Sequence, residues 1–158
     1  MKLGKQDFLY VFVQFVLFAL YIADIFEWRF NPLTWLRYSG ILLAILGGIT
    51  CCIAVLQLNT NLSPFPTPKN GSSLINNGVF KYIRHPIYGG ILVGLLGIGI
   101  YFTSLYKVII VALLFVLFYF KSKYEENRLI SAFPEYIHFR KTRGRFFPKW
   151  NHLFSKGK

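Results

Sequence analysis

Residues 87–120, IYGGILVGLLGIGIYFTSLYKVIIVALLFVLFYF, decide the fold of this chain. Lys107 is the only charged residue in this stretch, and it separates two apolar runs that each approach the length of a membrane crossing. A short polar break between two such runs is typical of a helical hairpin. We therefore predict two membrane spans, near residues 87–104 and 106–121, with the turn close to residues 103–107.

The two predicted helices of the hairpin differ in character. The first carries Gly90 and Gly94, whose spacing puts two small residues on one helix face and lets another helix approach closely. The second has only 13 uncharged residues, from 108 to 120. It reaches spanning length only if Lys107 and Lys121 extend their amines toward opposite membrane surfaces, and this is the arrangement that we expect.

Two further apolar segments precede the hairpin. We predict a first span near residues 8–26 and a second near 36–58. In the second segment Gly40, Ala44 and Gly48 recur every four residues, so all three are expected on one face that packs closely against a neighbouring helix.

The composition agrees with a membrane protein and excludes most other classes. Of 158 residues, 54% are hydrophobic and 15% are charged, whereas a typical soluble domain has about 25% charged residues. Disorder and a disulfide scaffold are excluded because the chain is strongly apolar and has 2 cysteines. The predicted fold class is all-α: a polytopic membrane helix bundle of about four transmembrane helices in one domain, 1–158, with a C-terminal helical hairpin.

The positive charge indicates membrane lipids as partners and predicts the orientation. The net charge of +12 comes from bases that flank the apolar runs, which favours anionic lipid over nucleic acid, and we expect no nucleic-acid partner. From residue 121 onward there are ten Lys and Arg against three Glu, and the loop 59–84 has three bases and no acid. We therefore expect both termini, this loop and a basic tail over 122–158 in the cytoplasm.

Residues 77–90, NGVFKYIRHPIYGG, lie at the entrance to the third predicted span. Pro86 has no amide proton and biases His85 away from helical geometry, which predicts free backbone groups and a ligand site. Alternatively, Pro86 simply occupies the first turn of a helix while Arg84 and His85 face lipid headgroups. Spacing alone leaves both interpretations open. The three histidines of the chain are too scattered to predict a metal site.

A second polar segment, residues 121–129 (KSKYEENRL), follows the last span. Neighbouring helix residues point about 100° apart, so at most one of Glu125 and Glu126 is expected to contact a small ligand. The alternative is ordinary surface pairing of Glu125 with Lys121 and Arg128, worth only tenths of a kcal/mol.

A third segment, residues 133–150 (FPEYIHFRKTRGRFFPKW), interleaves aromatic and basic residues. One interpretation is an interfacial anchor, with rings at headgroup depth and cations on anionic lipid. The other is a set of arginines that clamp a carboxylate or phosphate. Composition does not choose between them.

In order along the chain, these segments form a recognisable set. It consists of Arg-His-Pro-x-Tyr at 84–88, the Glu-Glu pair at 125–126, and Phe-Pro-Glu-Tyr followed by Arg-Phe-Phe-Pro between 133 and 148. Over residues 62–148 the set resembles the isoprenylcysteine carboxyl methyltransferase family, which is related to the phospholipid methyltransferases. The resemblance implies a membrane methyltransferase that uses S-adenosyl-L-methionine without a Rossmann domain, and the sequence has no GxGxxG fingerprint.

The resemblance also implies the site residues. The prenylcysteine enzymes have a substrate-contacting arginine one turn before the glutamates; this chain has Lys121 there, which lacks the planar fork of arginine. Lys121 and Arg140 are the predicted catalytic cations. The family often has tyrosine where this chain has Phe80, so no hydroxyl contact is expected there. The predicted cofactor-binding residues are Ser72, Ser73, Leu74, Ile75, Phe80, His85, Pro86, Ile87, Tyr88, Glu125 and Glu126.

The implied reaction is methyl transfer to a lipophilic small molecule or lipidated substrate in the membrane, with a prenylcysteine-type carboxylate as one candidate acceptor. A carboxylate is ionised at neutral pH and would be held by Lys121 or Arg140. An amine must first lose a proton, which Glu125 or Glu126 would take. Two other functions remain open: a non-catalytic membrane scaffold that binds anionic lipids, and a membrane reductase with a related helical core and a nicotinamide cofactor.

Overall fold

A computed structural model describes residues 2–69 and 71–149, and it confirms the all-α prediction. Within these residues the chain forms five α-helices and two 3₁₀ turns, with no β-strand. The predicted tail beyond residue 149 lies outside the described part. The helices are α1 (Lys5–Ala23), α2 (Thr34–Leu58), α3 (Pro86–Tyr101), α4 (Leu105–Ala132) and α5 (Tyr136–Thr142), and the 3₁₀ turns are Asn59–Asn61 and Gly78–Lys81.

Three of the helices, α1, α2 and α4, are long and apolar enough to cross a membrane. Helix α3 has 16 residues. At 1.5 Å per residue it is about 24 Å long, less than the hydrocarbon core of about 30 Å. It ends earlier than the predicted 104 because Thr103 adopts a left-handed backbone conformation, with φ 54°, and the chain turns there. The bundle therefore combines three helices of spanning length with one shorter apolar helix.

Helices α2 and α3 pack with their backbones in contact. A Cβ atom added at Gly40 would lie 2.6 Å from the Gly97 carbonyl oxygen, and one at Gly47 would lie 2.6 Å from the Gly90 carbonyl oxygen. By contrast, a Cβ atom at Gly48 would meet no described atom within 4 Å. The prediction that Gly48 faces the neighbouring helix is wrong because a helix has about 3.6 residues per turn, so the contact face does not advance strictly every four residues.

A polar cluster lies at the turn between α3 and α4, where Ser104 and Lys107 are buried and Arg29 is exposed. The Asp24 carboxylate accepts a hydrogen bond from Ser104 Oγ at 2.8 Å and pairs with Arg29 Nη1 at 2.9 Å. Lys107 Nζ donates to the Tyr21 carbonyl oxygen at 2.6 Å, and its side chain is buried. The expectation that Lys107 reaches the membrane surface is therefore wrong, because oxygen atoms inside the bundle satisfy its amine.

Helix α4 continues well past the predicted end of the last span at residue 121. It runs to Ala132, so the first part of the predicted tail is helical. The helix does not stop where its apolar run stops because Lys121, Ser122 and Glu126 are buried against other parts of the protein. This polar second half of α4 forms one wall of the candidate site.

Candidate active site

A cavity of about 350 Å³ lies where the end of α2, the start of α3 and the polar half of α4 meet. Its size lies within the range of about 300–1,000 Å³ typical of small-molecule sites. Lys121 contributes to its wall, whereas Glu126 and Arg140 are not among the described lining residues. Ten of the predicted cofactor-binding residues line the cavity: Ser72, Ser73, Leu74, Ile75, Phe80, His85, Pro86, Ile87, Tyr88 and Glu125.

The His-Pro element is held in place by the chain that follows α5. Pro86 is the first residue of α3, and His85 precedes it with non-helical torsions of φ −127° and ψ 64°. The backbone amides of Arg84 and His85 donate to the carbonyl oxygens of Gly144 and Arg145, both at 2.9 Å. The expectation of free amides at this point is therefore wrong, because the C-terminal segment uses them. Arg84 and His85 line the cavity, whereas their backbone amides are already bonded.

Glu126 is the centre of a buried ionic network. Its Oε1 atom lies 2.9 Å from Arg84 Nη1 and 3.1 Å from His85 Nε2, and its Oε2 atom lies 3.5 Å from Arg145 Nη2. Burial lowers the pKa of the Arg84 guanidinium below its usual value, while the attraction of the Glu126 carboxylate opposes that shift. Glu126 thus fixes the imidazole of His85 and joins α4 to the C-terminal segment.

Glu125 points into the cavity instead. Tyr88 donates its hydroxyl hydrogen to Glu125 Oε2 at 2.8 Å, and the Tyr88 ring stacks on Phe118 with ring centroids 4.7 Å apart. The Glu125 side chain is 25% exposed, whereas that of Glu126 is 2% exposed. The structure therefore separates the two glutamates as helix geometry predicts, with one toward the cavity and one toward the protein interior.

Lys121 is almost fully enclosed, with 1% of its surface exposed. Its Nζ atom donates to Gln14 Oε1 at 2.6 Å and to the Pro64 carbonyl oxygen at 2.9 Å. Both the expected extension of this amine to the membrane surface and the alternative of surface pairing are wrong, since its partners lie inside the bundle. Arg140 is exposed on α5, so the structure does not bring the two predicted catalytic cations together at the cavity.

Sequence reasoning missed Tyr136, which lines the cavity. The residue is 1% exposed, and its hydroxyl has no hydrogen-bond partner among the described residues. Burial raises the pKa of this phenol, and the carboxylates of Glu126 and Glu125 raise it further, so the hydroxyl keeps its proton. The surrounding aromatic and basic pattern gave no signal that distinguished this ring from an interfacial anchor.

Sequence reasoning also missed the loop formed by residues 62–68, which lines the cavity. Its three prolines mark only the end of a helix in the sequence. In the structure the amide of Thr67 donates to Asp7 Oδ1 at 2.9 Å, so the loop is tied to the start of α1. No local pattern predicts this contact, because the two residues lie 60 positions apart.

Comparison with known families matches phospholipid methyltransferase over residues 35–135, from the start of α2 to the turn before α5. The chain belongs to the phospholipid methyltransferase family. The matched region contains the His-Pro element, the glutamate pair and most of the cavity wall. The family resemblance carried by those motifs is thereby confirmed.

Two curated relatives of this family member are bacterial metal-resistance proteins. The cobalt-zinc-cadmium resistance protein CzcN of Cupriavidus metallidurans is 30% identical over 123 residues, which cover 77% of this chain and 52% of the relative. The nickel-cobalt-cadmium resistance protein NccN of Alcaligenes xylosoxydans xylosoxydans is 27% identical over 111 residues, covering 70% of this chain and 47% of the relative. The chain thus spans about half the length of the curated relatives it matches.

A solved structure confirms the polytopic fold of this family member. The eukaryotic intramembrane Ras methyltransferase, isoprenylcysteine carboxyl methyltransferase, superposes with a TM-score of 0.68 and 22% sequence identity. The match covers 90% of this chain and 50% of that enzyme.

In residues 2–69 and 71–149 no group of three or more His, Cys, Asp or Glu side chains is placed to hold a metal ion.

Proposed function

We propose that this chain is an S-adenosyl-L-methionine-dependent methyltransferase that acts on a lipophilic acceptor in the membrane. The observation that carries the proposal is the hydrogen bond of 2.8 Å between Tyr88 and Glu125, which joins the His-Pro element to the glutamate pair at one cavity. Membership of the phospholipid methyltransferase family supports the reaction class.

The cavity residues fit such a cofactor. S-adenosyl-L-methionine carries an amine, two ribose hydroxyls and a carboxylate. When bound, it would supply a methyl group: the bond from that carbon to sulfur breaks as the bond to the acceptor forms, and the electron pair stays on sulfur. Glu125 offers a carboxylate to an amine or hydroxyl donor, and the buried Tyr136 hydroxyl needs a hydrogen-bond partner that the described protein does not supply. Aliphatic and proline residues also line the cavity and would shield the reacting groups from water when the cofactor is bound.

Methyl transfer requires little acid-base chemistry from the protein, so the residues act mainly by positioning. Tyr88 holds the Glu125 carboxylate, while Glu126 holds His85 from behind. Lys121 supplies a positive charge to a carboxylate acceptor at the same cavity. Of the two predicted cations, Lys121 is assigned to acceptor binding, because Arg140 lies outside the described lining of the cavity.

We assign the cavity and the start of α1 to the cytosolic face. The contact between Asp7 and Thr67 and the bond from Lys121 to Pro64 bring the start of α1, the loop after α2 and the polar half of α4 to one end of the bundle. That end carries the bases of the loop and the C-terminal region, which favour the cytoplasm. A cofactor therefore enters from the cytosol, and the acceptor enters from the bilayer.

Transfer of a labelled methyl group tests this function. The purified protein in lipid nanodiscs is incubated with methyl-labelled S-adenosyl-L-methionine and a membrane lipid extract, and we expect label in an apolar product. Stabilisation by a nicotinamide nucleotide but not by S-adenosylhomocysteine would instead indicate a reductase. If neither compound shifts the unfolding temperature and the protein shows only salt-sensitive binding to liposomes, the chain is a lipid-binding scaffold.

Removing the Tyr136 hydroxyl is expected to stabilise the free protein and to weaken cofactor binding. An unpartnered buried hydroxyl costs about 1–3 kcal/mol, so Tyr136→Phe should raise the free energy of unfolding by about 1 kcal/mol. The same change should weaken S-adenosylhomocysteine binding by about fivefold, as measured by calorimetry. Tyr38→Phe, at an exposed tyrosine, is the matched control and should change neither quantity. Unchanged binding by Tyr136→Phe would remove this residue from the site.

A further inference from the structure

Gln14 is a polar residue inside an otherwise apolar membrane span. It lies in the middle of α1, between apolar neighbours on both sides, and it lines the cavity. Polar side chains inside membrane helices are costly and usually face a partner or a cavity. Gln14 has both, since its Oε1 atom accepts a hydrogen bond of 2.6 Å from Lys121 Nζ.

The partners of Lys121 are both uncharged. Gln14 contributes an amide oxygen and Pro64 contributes a backbone carbonyl oxygen. Among the described residues, no carboxylate lies within the 4.0 Å that defines an ion pair with this ammonium, although Lys107 at the other end of the bundle has Asp24 at 3.7 Å. An ammonium has three donors, so one remains after these two bonds.

A buried cation whose direct hydrogen-bond partners are all neutral is an unusual arrangement. Removing a charge from water is expensive, and most buried charges are therefore paired with an opposite charge. Here the ring of Tyr88 lies 5.3 Å from the Lys121 amine, which gives further attraction without neutralising the charge. The site thus keeps a positive charge available at the cavity wall.

We propose that Gln14 sets the charge preference of the acceptor site. Its side-chain oxygen is neutral and does not cancel the charge of Lys121. The ammonium therefore stays available to the carboxylate of a lipophilic acceptor with a single apolar chain. This inference rests on the methyltransferase function proposed above. A glutamate at position 14 would form an ion pair with Lys121, cancel the charge and favour an amine in its place. Gln14 is a positioning residue, since it acts through Lys121.

The test compares ligands that share one apolar chain and differ in charge. Palmitate, methyl palmitate and hexadecylamine are titrated by calorimetry into the full chain in phosphatidylcholine nanodiscs. We expect palmitate to bind at least about tenfold more tightly than its methyl ester. Gln14→Glu should lose that preference and bind hexadecylamine more tightly than palmitate. Equal binding of palmitate by the wild type and Gln14→Glu would overturn the proposal.

Two control variants separate charge from folding and from a hydrogen bond. Gln6→Glu introduces the same acid at an exposed position of α1, outside the described cavity lining, and should leave palmitate binding unchanged. Gln14→Met removes the amide oxygen without adding charge, and it should keep the preference for palmitate. If Gln14→Met loses as much palmitate affinity as Gln14→Glu, the hydrogen bond rather than neutrality is responsible and the proposal fails.

Titration of S-adenosylhomocysteine distinguishes this inference from the proposed function. We expect the wild type and the Gln6→Glu control to bind it equally, within about twofold. No binding by the wild type would reject the proposed function, whereas normal binding without any palmitate preference would reject only the role of Gln14. Joint loss of both ligands in Gln14→Glu would assign the cation to the cofactor and overturn the inference.

Phosphatidylglycerol in the nanodisc should not compete with palmitate. Competition would assign the site to lipid phosphate and would also overturn the inference.

Discussion

Glu126→Gln is expected to destabilise the folded protein by about 3–5 kcal/mol, because the change leaves Arg84, His85 and Arg145 around a neutral amide in a buried place. Glu125→Gln, one residue earlier, should change the free energy of unfolding by less than about 1 kcal/mol, since its carboxylate is partly exposed and has one close hydroxyl partner. The same substitution at adjacent positions thus provides a matched pair.

Ligand binding should show the opposite order. Glu125→Gln is expected to weaken S-adenosylhomocysteine binding by at least about tenfold, because a charge-assisted hydrogen bond from the ligand is lost. Unfolding in mild detergent gives the stabilities, and calorimetry at a temperature where both variants remain folded gives the affinities. A destabilised Glu125→Gln, or normal ligand binding by that variant, would contradict the division of roles between the two glutamates.

Gly47→Val is expected to disrupt the pairing of α2 with α3. A side chain at this position would meet backbone atoms of Gly90 and Gly94, and backbone cannot yield as a flexible side chain does. Overpacking of a well-packed contact costs about 1–3 kcal/mol and occasionally more, and we expect the upper end or beyond here. Because the cavity is built partly at the start of α3, ligand binding should be lost together with stability.

Gly48→Val is the control for this prediction. A Cβ atom at Gly48 meets no described atom within 4 Å, so the added side chain should face the bilayer at little cost. The ratio of folded to aggregated protein after extraction, followed by thermal unfolding, should fall sharply for Gly47→Val and stay near the wild-type value for Gly48→Val. Equal loss in both variants would mean that the backbone contact between the helices is not what holds them together.

The sequence determines the membrane class and the family. A long uncharged run is stable in a bilayer as a helix, because a helix bonds its own backbone groups where no water is present to do so. The ordered motifs at 84–88, 125–126 and 133–148 indicated the family, and the resemblance predicted ten cofactor-binding residues that line the cavity, together with Lys121. Helix periodicity also anticipated that the adjacent glutamates cannot serve one ligand equally.

The tertiary structure decided which of those residues face the cavity and which face each other. The sequence around Lys107 and Lys121 describes only the helix that carries them, and on that basis both amines are expected at membrane surfaces. Both side chains are buried instead, because their hydrogen-bond partners come from α1 and from the loop after α2. The bond between Lys121 and Gln14 joins residues 107 positions apart. Local periodicity carries no information about such a partner. Hydrophobic runs determine which segments enter the membrane. The partners of buried charges and hydroxyls depend instead on how the helices pack together, because those partners come from other helices and loops.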